Sequence, residues 1–313
     1  MLNVPPPDKL VPSLTGSHAK KIWLWIRRFA GLIAALLLLR MVMKNTTELQ
    51  TTISELHYGS LVLAVLFIGL GFFISSLAWG ALLSAQGWSV PIRLAWWSST
   101  HSLLIRYLPG GIPGLAARVD VMRQFGLRLS HRGWNVIIEM SLASWTAIIF
   151  FFVGGWANRV PIWLNWMLVL GFIVGLLGLV FLTSERNQFT QWRTRLRIPS
   201  FMTRPVAVII FWFLIGWAVF GAAHFFLAQS MDIQKSIGFL EVTGLYAISW
   251  IAGLVAVFTP SGLGVREATM IGLLQPLVGP QAIIFALLAR LVFTAGELLN
   301  LIVAWLLRPR TVK

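Results

Sequence analysis

Two arginines in this sequence each follow a Pro- and Gly-rich break inside an apolar region. Arg118 comes after PGGIPG at 109–114, and Arg266 comes after TPSGLG at 259–264. Proline and clustered glycines end a helix, and a helix that begins after such a break exposes N–H groups and the positive end of its dipole. A guanidinium group adds a planar, permanently charged fork that matches phosphate oxygens. The two segments therefore predict anion binding, with phosphate as the favoured group.

The breaks themselves are short and similar. LPGGI at 108–112 resembles TPSGL at 259–263. Pro-Gly pairs are common in loops, so this likeness matters because the two segments occupy matching positions in the two halves of the chain. The residues that we expect to form the breaks are Pro109, Gly110, Gly111, Pro260, Ser261, Gly262 and Gly264.

Both arginines also have a purely structural interpretation, in which each forms an ion pair inside the protein. The candidate partners are Asp120 and Glu139 for Arg118, and Glu267 and Glu297 for Arg266. Both interpretations stay open. The deep position of Arg266 in the apolar region favours ligand binding for that residue.

Other ionisable side chains lie in apolar segments, where they are costly and usually face the interior of a helix bundle. Those predicted to contact a ligand, besides the two arginines, are Glu139, Glu267, Arg290, Glu297 and His101. Arg290 and Glu297 lie seven residues apart and share a helix face, so an ion pair between them is an equally good hypothesis. His224 is interpreted as a packed or interfacial histidine.

His101 belongs to a polar stretch that also contains Ser98, Ser99, Thr100 and Ser102. This stretch predicts a polar helix face in the first broken segment. Such a face suits a wet groove, and hydrogen bonding between helices explains it almost as well.

The elements that position these residues are apolar helices. Apolar residues make up 58% of the 313 residues and charged residues only 11%, whereas soluble proteins carry about 25% charged residues. Several apolar runs exceed the ~20 residues that a helix needs to cross a bilayer. The sequence therefore predicts an all-α polytopic membrane protein.

Six segments predict full spans and two predict interrupted ones. The full spans are 24–43, 61–83, 134–157, 161–183, 205–228 and 282–307. The interrupted segments, 92–126 and 236–279, are interpreted as re-entrant helical hairpins, since the second outgoing helix at 265–279 is too short to cross. Eight spans would result if both hairpins crossed fully, and that alternative stays open.

This topology predicts an inverted repeat. Residues 24–157 and 158–307 each hold three spans and one hairpin, and an odd number of spans gives the halves opposite orientations. Most of the 25 Lys and Arg residues then lie on one side, which places the N-terminal segment 1–23 and the tail 308–313 in the cytoplasm. Interrupted helices at matching positions of inverted halves are typical of transporter binding sites.

Several other functions are disfavoured. The net charge of +15 comes from residues in short loops between spans, so nucleic-acid binding is not expected. The chain has no cysteine, which excludes disulfides and thiolate chemistry. We find no nucleotide-binding loop, metal-ligand cluster or nucleophile elbow, and therefore expect no cofactor, no metal and no enzymatic activity.

Two blocks of the sequence resemble a known family. RYLPGGIPGLAARVDVMRQFGLRLS followed by NVIIEM, and TPSGLGVREA followed by ALLARL, are similar to the motifs of the lysylphosphatidylglycerol synthase transmembrane-region family, also described as flippase-like. The resemblance covers roughly 100–300. The positions that match the family pattern are Pro109, Gly110, Arg118, Gly126, Glu139, Pro260, Gly262, Gly264, Arg266, Glu267 and Arg290.

The resemblance implies a multi-pass protein of the bacterial inner membrane that moves an anionic lipid or a lipid-linked sugar between leaflets. Met140 and Ser144 replace charged residues common in the family, and Ser261 replaces a glycine, which bears on the substrate. The chain ends at Lys313 without the soluble domain of aminoacyl-transferring relatives, so we expect no synthase activity.

Two alternatives to translocation stay open. One is a membrane-embedded enzyme acting on a polyprenyl phosphate or glycolipid, with Glu267 or Glu297 as its acid or base. The other is a non-catalytic partner of lipid-biosynthetic enzymes. If transport is proton-coupled, Glu139, Glu267 and Glu297 are the candidate proton carriers.

Overall fold

A computed structural model of the chain describes residues 54–106, 132–196, 203–256 and 262–309, together with Met43 and Thr259. Within these ranges the protein is entirely helical. The helices are α1 (Tyr58–Ser84), α2 (Ile92–Arg106), α3 (Arg132–Val153), α4 (Ile162–Thr183), α5 (Asn187–Leu196), α6 (Thr203–Ser230), α7 (Phe239–Val255), α8 (Val265–Val278) and α9 (Gln281–Leu306).

Five of these helices are long and apolar enough to cross a membrane, namely α1, α3, α4, α6 and α9. They correspond to five of the six spans that the sequence predicts. The sixth, 24–43, lies outside the described residues apart from Met43. The all-α polytopic membrane fold is thus confirmed. The inverted repeat stays a prediction, because the first span, apart from Met43, and residues 107–126 of the first hairpin are not among the described residues.

The third predicted span is shorter than expected. Helix α3 ends at Val153, whereas the sequence predicts a span to 157. Gly155 has φ +75°, a left-handed conformation that ends the helix, and a 3₁₀ turn at Trp156–Arg159 follows. A Cβ at Gly154 would lie 2.6 Å from the carbonyl oxygen of Leu240. The helix therefore ends where the chain must pass close to α7.

Small residues let the central helices pack closely. Helices α1 and α6 form the most extensive pair, and α7 and α9 pack against the same centre. A Cβ at Gly296 of α9 would lie 2.5 Å from the Cβ of Ile68 on α1, and a Cβ at Gly71 would lie 2.6 Å from the ring of Phe220 on α6. Such contacts are the usual basis of helix association in membranes, where lipid removes the hydrophobic driving force.

Helix α4 stands apart from this centre. It packs on α3, and Leu168 is its one buried residue. The large side chains on the rest of its surface, including Trp163, Trp166 and Leu177, are exposed. Since α4 is apolar throughout, this surface suits contact with lipid.

The segment between α4 and α6 contains helix α5, where the sequence predicts no helix. Buried Arg193 holds it in place: its Nη1 donates hydrogen bonds to the carbonyl oxygens of Phe181 (2.7 Å) and Leu182 (2.9 Å). These carbonyl groups belong to the last turn of α4, where no N–H group of the same helix is available to donate a hydrogen bond to them. The arginine therefore caps one helix while it docks the next.

Candidate functional site

The second broken segment forms two short packed helices. Helix α8 runs back along α7: the side chain of Arg266 lies against Gly253, and Met270 borders the same pocket as Tyr246. With 14 residues, α8 spans ~21 Å, less than the ~30 Å hydrocarbon core. The two helices lie where the sequence predicts a re-entrant hairpin.

Two glycines make the turn between α7 and α8 possible. Gly262 has φ +69° and Gly264 has φ +85°, both in the region that favours glycine. A Cβ at Gly262 would also lie 2.7 Å from the Cα of Gly253, so the chain crosses α7 in direct backbone contact. Both glycines lie in the turn that separates α7 from α8, whereas Pro260 and Ser261 lie outside the described residues.

Glu267 occupies the N-terminus of α8. Its Oε2 accepts a hydrogen bond of 2.6 Å from the backbone N–H of Gly264, and its Oε1 lies 3.7 Å from Nη1 of Arg290 on α9. The residue is only 3% exposed. A carboxylate of the protein thus already caps this helix. The sequence predicts that the N–H groups at the start of α8 bind a ligand. One of them, the N–H of Gly264, instead donates its hydrogen bond to Glu267.

Arg266 and Arg290 border one small pocket, here called the charged pocket. It has a volume of about 20 Å³, room for about one water molecule. The guanidinium carbon of Arg266 lies 5.9 Å from the ring centroid of Phe293. The pocket is lined by His224, Tyr246, Arg266, Glu267, Met270, Ala286, Ala289, Arg290 and Phe293. Two guanidinium groups and one carboxylate therefore meet at one place in the bundle.

A larger cavity of about 130 Å³, here called the central cavity, lies next to the charged pocket. Tyr246 and Phe293 line both, so one layer of aromatic side chains separates them. The polar residues of the central cavity are Ser75, Ser76, Ser99, Thr100 and Glu139. Its apolar and aromatic residues are Phe72, Met140, Ala143, Phe213, Gly216, Trp217, Phe220, Tyr246, Trp250 and Phe293.

The family model described as the lysylphosphatidylglycerol synthase TM region matches residues 28–296. The match spans most of the chain and includes both broken segments, the central cavity and the charged pocket. The chain belongs to this family. The comparison with curated proteins found no match. As a lysylphosphatidylglycerol synthase TM-region protein, it is an integral membrane protein of a family related to lipid biosynthesis.

Glu139 is the predicted residue of this TM-region protein that the structure places in the central cavity. It is 5% exposed, on α3, and it meets Ser99 and Thr100 of the first broken segment there. Ser99 is buried, and within the described residues nothing hydrogen-bonds to its hydroxyl oxygen. The cavity therefore offers polar groups from two helices to a guest molecule.

The polar face of α2 is used mainly for helix contact. Asn300 of α9 donates from Nδ2 to the hydroxyl of Thr100 (3.0 Å) and accepts at Oδ1 from Nε1 of Trp96 (2.8 Å). His101 packs against Trp97, with ring centroids 5.4 Å apart, and is not among the described lining residues of the central cavity. The structure thus favours the helix-contact interpretation for most of this face, while Ser99 and Thr100 also line the central cavity.

The remaining predicted residues have different positions. Arg290 forms its ion pair with Glu267 across two helices. Glu297 is buried on α9 but lines neither described space. Arg118, Pro109, Gly110 and Gly111 lie outside the described residues.

Sequence reasoning missed His224 and Tyr246 as members of the site. Their rings stack with centroids 4.1 Å apart, and Nδ1 of His224 lies 2.7 Å from the carbonyl oxygen of Phe220. The one signal in the sequence was a histidine inside an apolar span. Its contacts depend on how the consecutive helices α6, α7, α8 and α9 pack against one another, which the sequence pattern does not show.

Proposed function

We propose that this protein is a translocase that moves a lipid with a phosphate-bearing headgroup, a phospholipid or a lipid-linked sugar, between membrane leaflets. One observation carries the proposal: Arg266, at the start of α8, borders a charged pocket that shares Tyr246 and Phe293 with the central cavity, where hydroxyls and the carboxylate of Glu139 are present. A headgroup in the central cavity would therefore lie one side-chain layer from two guanidinium groups.

The chemistry of the two spaces is complementary to such a headgroup. Hydroxyls of Ser99 and Thr100 and the carboxylate of Glu139 suit hydrogen bonds to sugar or glycerol hydroxyls. Guanidinium groups suit the phosphate, which they bind through parallel hydrogen bonds. The side chains of Tyr246 and Phe293 would have to rotate for the phosphate to reach Arg266. Rotation of two side chains costs less free energy than displacement of a helix.

The cavity volume of about 130 Å³ is smaller than that of typical ligand sites, which are ~300–1,000 Å³. The described conformation therefore corresponds to a closed state. Opening would come from rocking of one helix group against the other, with the hairpin as a moving part. The charge distribution supports an inner-membrane orientation with cytoplasmic termini.

The proposal assigns no catalytic residue. Glu267, a candidate acid or base of the enzyme alternative, caps α8 and pairs with Arg290. Each of its carboxylate oxygens thus has a contact inside the protein. This supports a structural role for Glu267 and relocation of the lipid without chemical change.

The test is leaflet exchange in proteoliposomes that contain fluorescent phosphatidylglycerol or a fluorescent polyprenyl-phosphate sugar. We expect the native protein to accelerate exchange and Arg266→Ala to abolish the acceleration. Arg266→Lys keeps the positive charge but loses the planar guanidinium donors, so it should retain part of the accelerated exchange. Size-exclusion chromatography and unfolding temperature control for folding.

Three results would overturn the proposal. They are folded native protein without exchange of either lipid, exchange that is unchanged in Arg266→Ala, and a lipid recovered in chemically altered form. The last result would turn the assignment toward a membrane-embedded enzyme, and the first toward a partner of lipid-biosynthetic enzymes.

A further inference from the structure

A groove of about 510 Å³ runs between α3 and α4, here called the lateral groove. Its residues are Trp134, Ile137, Ile138, Met140, Ser141, Leu142, Ser144, Trp145, Ile148, Gly171, Val174, Gly175, Gly178, Leu179, Phe181, Leu182 and Leu254. Apart from two serines these described residues are apolar or glycine, and none is charged. An occupant must therefore be hydrocarbon.

Glycines of α4 and one tryptophan of α3 give the groove its width. The ring of Trp145 lies directly on Gly175, stacks on Phe172 at 5.1 Å and donates from Nε1 to the carbonyl oxygen of Phe172 (3.1 Å). At Gly178 an added Cβ would meet nothing within 4 Å. Trp145 thus fixes the distance between the two helices, and Gly178 leaves the space beside it open.

The groove is longer than the hydrocarbon thickness of one leaflet. From Trp134 to Ile148 it follows α3 for ~21 Å, whereas one leaflet contributes about half of the ~30 Å hydrocarbon core. Two of its lining residues, Ile137 on α3 and Val174 on α4, are 54% and 59% exposed, so the groove is open at an apolar outer surface that suits contact with lipid. Acyl chains are therefore the molecules already in contact with its mouth.

The groove also adjoins the central cavity. Met140 lines both spaces, while its neighbour Glu139 lines the central cavity. Methionine is unbranched and changes its shape easily, so this side chain is suited to open and close a passage. Leu254, in the last turn of α7, also borders the groove and connects it to the hairpin.

We infer that the lateral groove binds one acyl or prenyl chain of the lipid whose headgroup occupies the central cavity, with Met140 closing the passage between them. The inference rests on the proposed function and adds a chain-binding site and a route into the cavity. It distinguishes this site from simple exposure of the lipid tails to bulk membrane.

The test uses phosphatidylglycerol with a photoreactive diazirine in the middle of one acyl chain, in proteoliposomes of the full chain. Labelled residues are found by mass spectrometry. Ile138 and Leu142 are each only 6% exposed, so label on them reports a chain inside the groove and not bulk lipid. We expect both to be labelled in the native protein.

Gly178→Phe fills the groove and should abolish that label. Leu177→Phe is the matched control, because it adds the same ring to the neighbouring position of α4, which is 62% exposed and outside the groove lining. This control should keep the label. Met140→Trp places a larger side chain where the two spaces meet, so it should slow leaflet exchange while Ile138 and Leu142 keep their label.

Label confined to exposed positions such as Leu177 would overturn the inference, as would label on Ile138 that persists in Gly178→Phe. A cross-link between cysteines introduced in the groove and in 24–43, or between two copies of the chain, would also overturn it by identifying a protein occupant. Failure of the proposed function gives a different result, namely chain labelling without leaflet exchange.

Discussion

Glu267 in the first turn of α8 lies 3.7 Å from Arg290 on α9, while its second carboxylate oxygen accepts a hydrogen bond from Gly264. One buried carboxylate therefore joins three parts of the site: the glycine turn, the start of the short helix and the long helix beside it. This contact holds Arg290 at the charged pocket. It also orients the segment that carries Arg266.

Removing the Glu267 carboxylate should destabilise the protein strongly. Glu267→Gln removes the counter-charge of Arg290, whose side chain is 19% exposed, and breaking such a partly buried pair should cost up to about 3 kcal/mol. Unfolding of purified protein in detergent measures the effect. The double variant Glu267→Gln/Arg290→Met should be less destabilised than the two single changes added together, and simple additivity would show that the two residues are uncoupled.

The turn glycines should not tolerate a side chain. Gly264→Ala forces a non-glycine residue to φ +85° and should cost about 1–3 kcal/mol. Gly262→Ala should cost more, because its Cβ would also meet the backbone of Gly253 at 2.7 Å. Gly272→Ala in α8 is the matched control: its Cβ meets nothing within 4 Å, and equal losses of stability at all three positions would contradict the explanation.

Gly253→Ala should act through Arg266. An added Cβ would lie 2.5 Å from Cγ and 2.6 Å from Nε of Arg266, so the arginine must move away from its present position. We expect leaflet exchange to fall as it does in Arg266→Ala. The destabilisation caused by Gly253→Ala should disappear in the Arg266→Ala background, because the side chain that the new Cβ would meet is then absent. A loss of unfolding free energy that persists in that background would assign Gly253 another role.

Asn300 should couple α9 to α2. Asn300→Leu removes its hydrogen bonds to Trp96 and Thr100, and hydrogen bonds between membrane helices average about 0.6 kcal/mol each. The expected loss is therefore about 1 kcal/mol of unfolding free energy. A double-mutant cycle with Thr100→Val measures the coupling energy between Asn300 and Thr100. A coupling energy of zero would show that their hydrogen bond does not contribute to stability.

Arg193 should control the docking of α5. Arg193→Met keeps the apolar stem but loses the hydrogen bonds to Phe181 and Leu182. Limited proteolysis should then cut the segment between α4 and α6 faster than in the native protein. Arg195→Met, on the exposed side of the same helix, is the control and should leave the cleavage rate unchanged.

The amino-acid sequence by itself determined the membrane class, five of the described spans and the position of the break at Gly262 and Gly264. These features are local, because hydrophobic length and glycine conformation need no distant partner. Helix α5 was missed, since its ten residues are polar on one side and lack the apolar length that marks a span.

Only the tertiary structure decided which side chains meet. It paired Glu267 with Arg290, placed His224 on Tyr246, turned His101 toward Trp97 and brought Glu139 to the same cavity as Ser99. Spacing along one helix predicts neighbours on that helix alone. Contacts between helices depend on how closely the helix backbones approach each other. Small residues such as Gly253 and Gly296 permit that approach, and the residues that they contact lie on other helices.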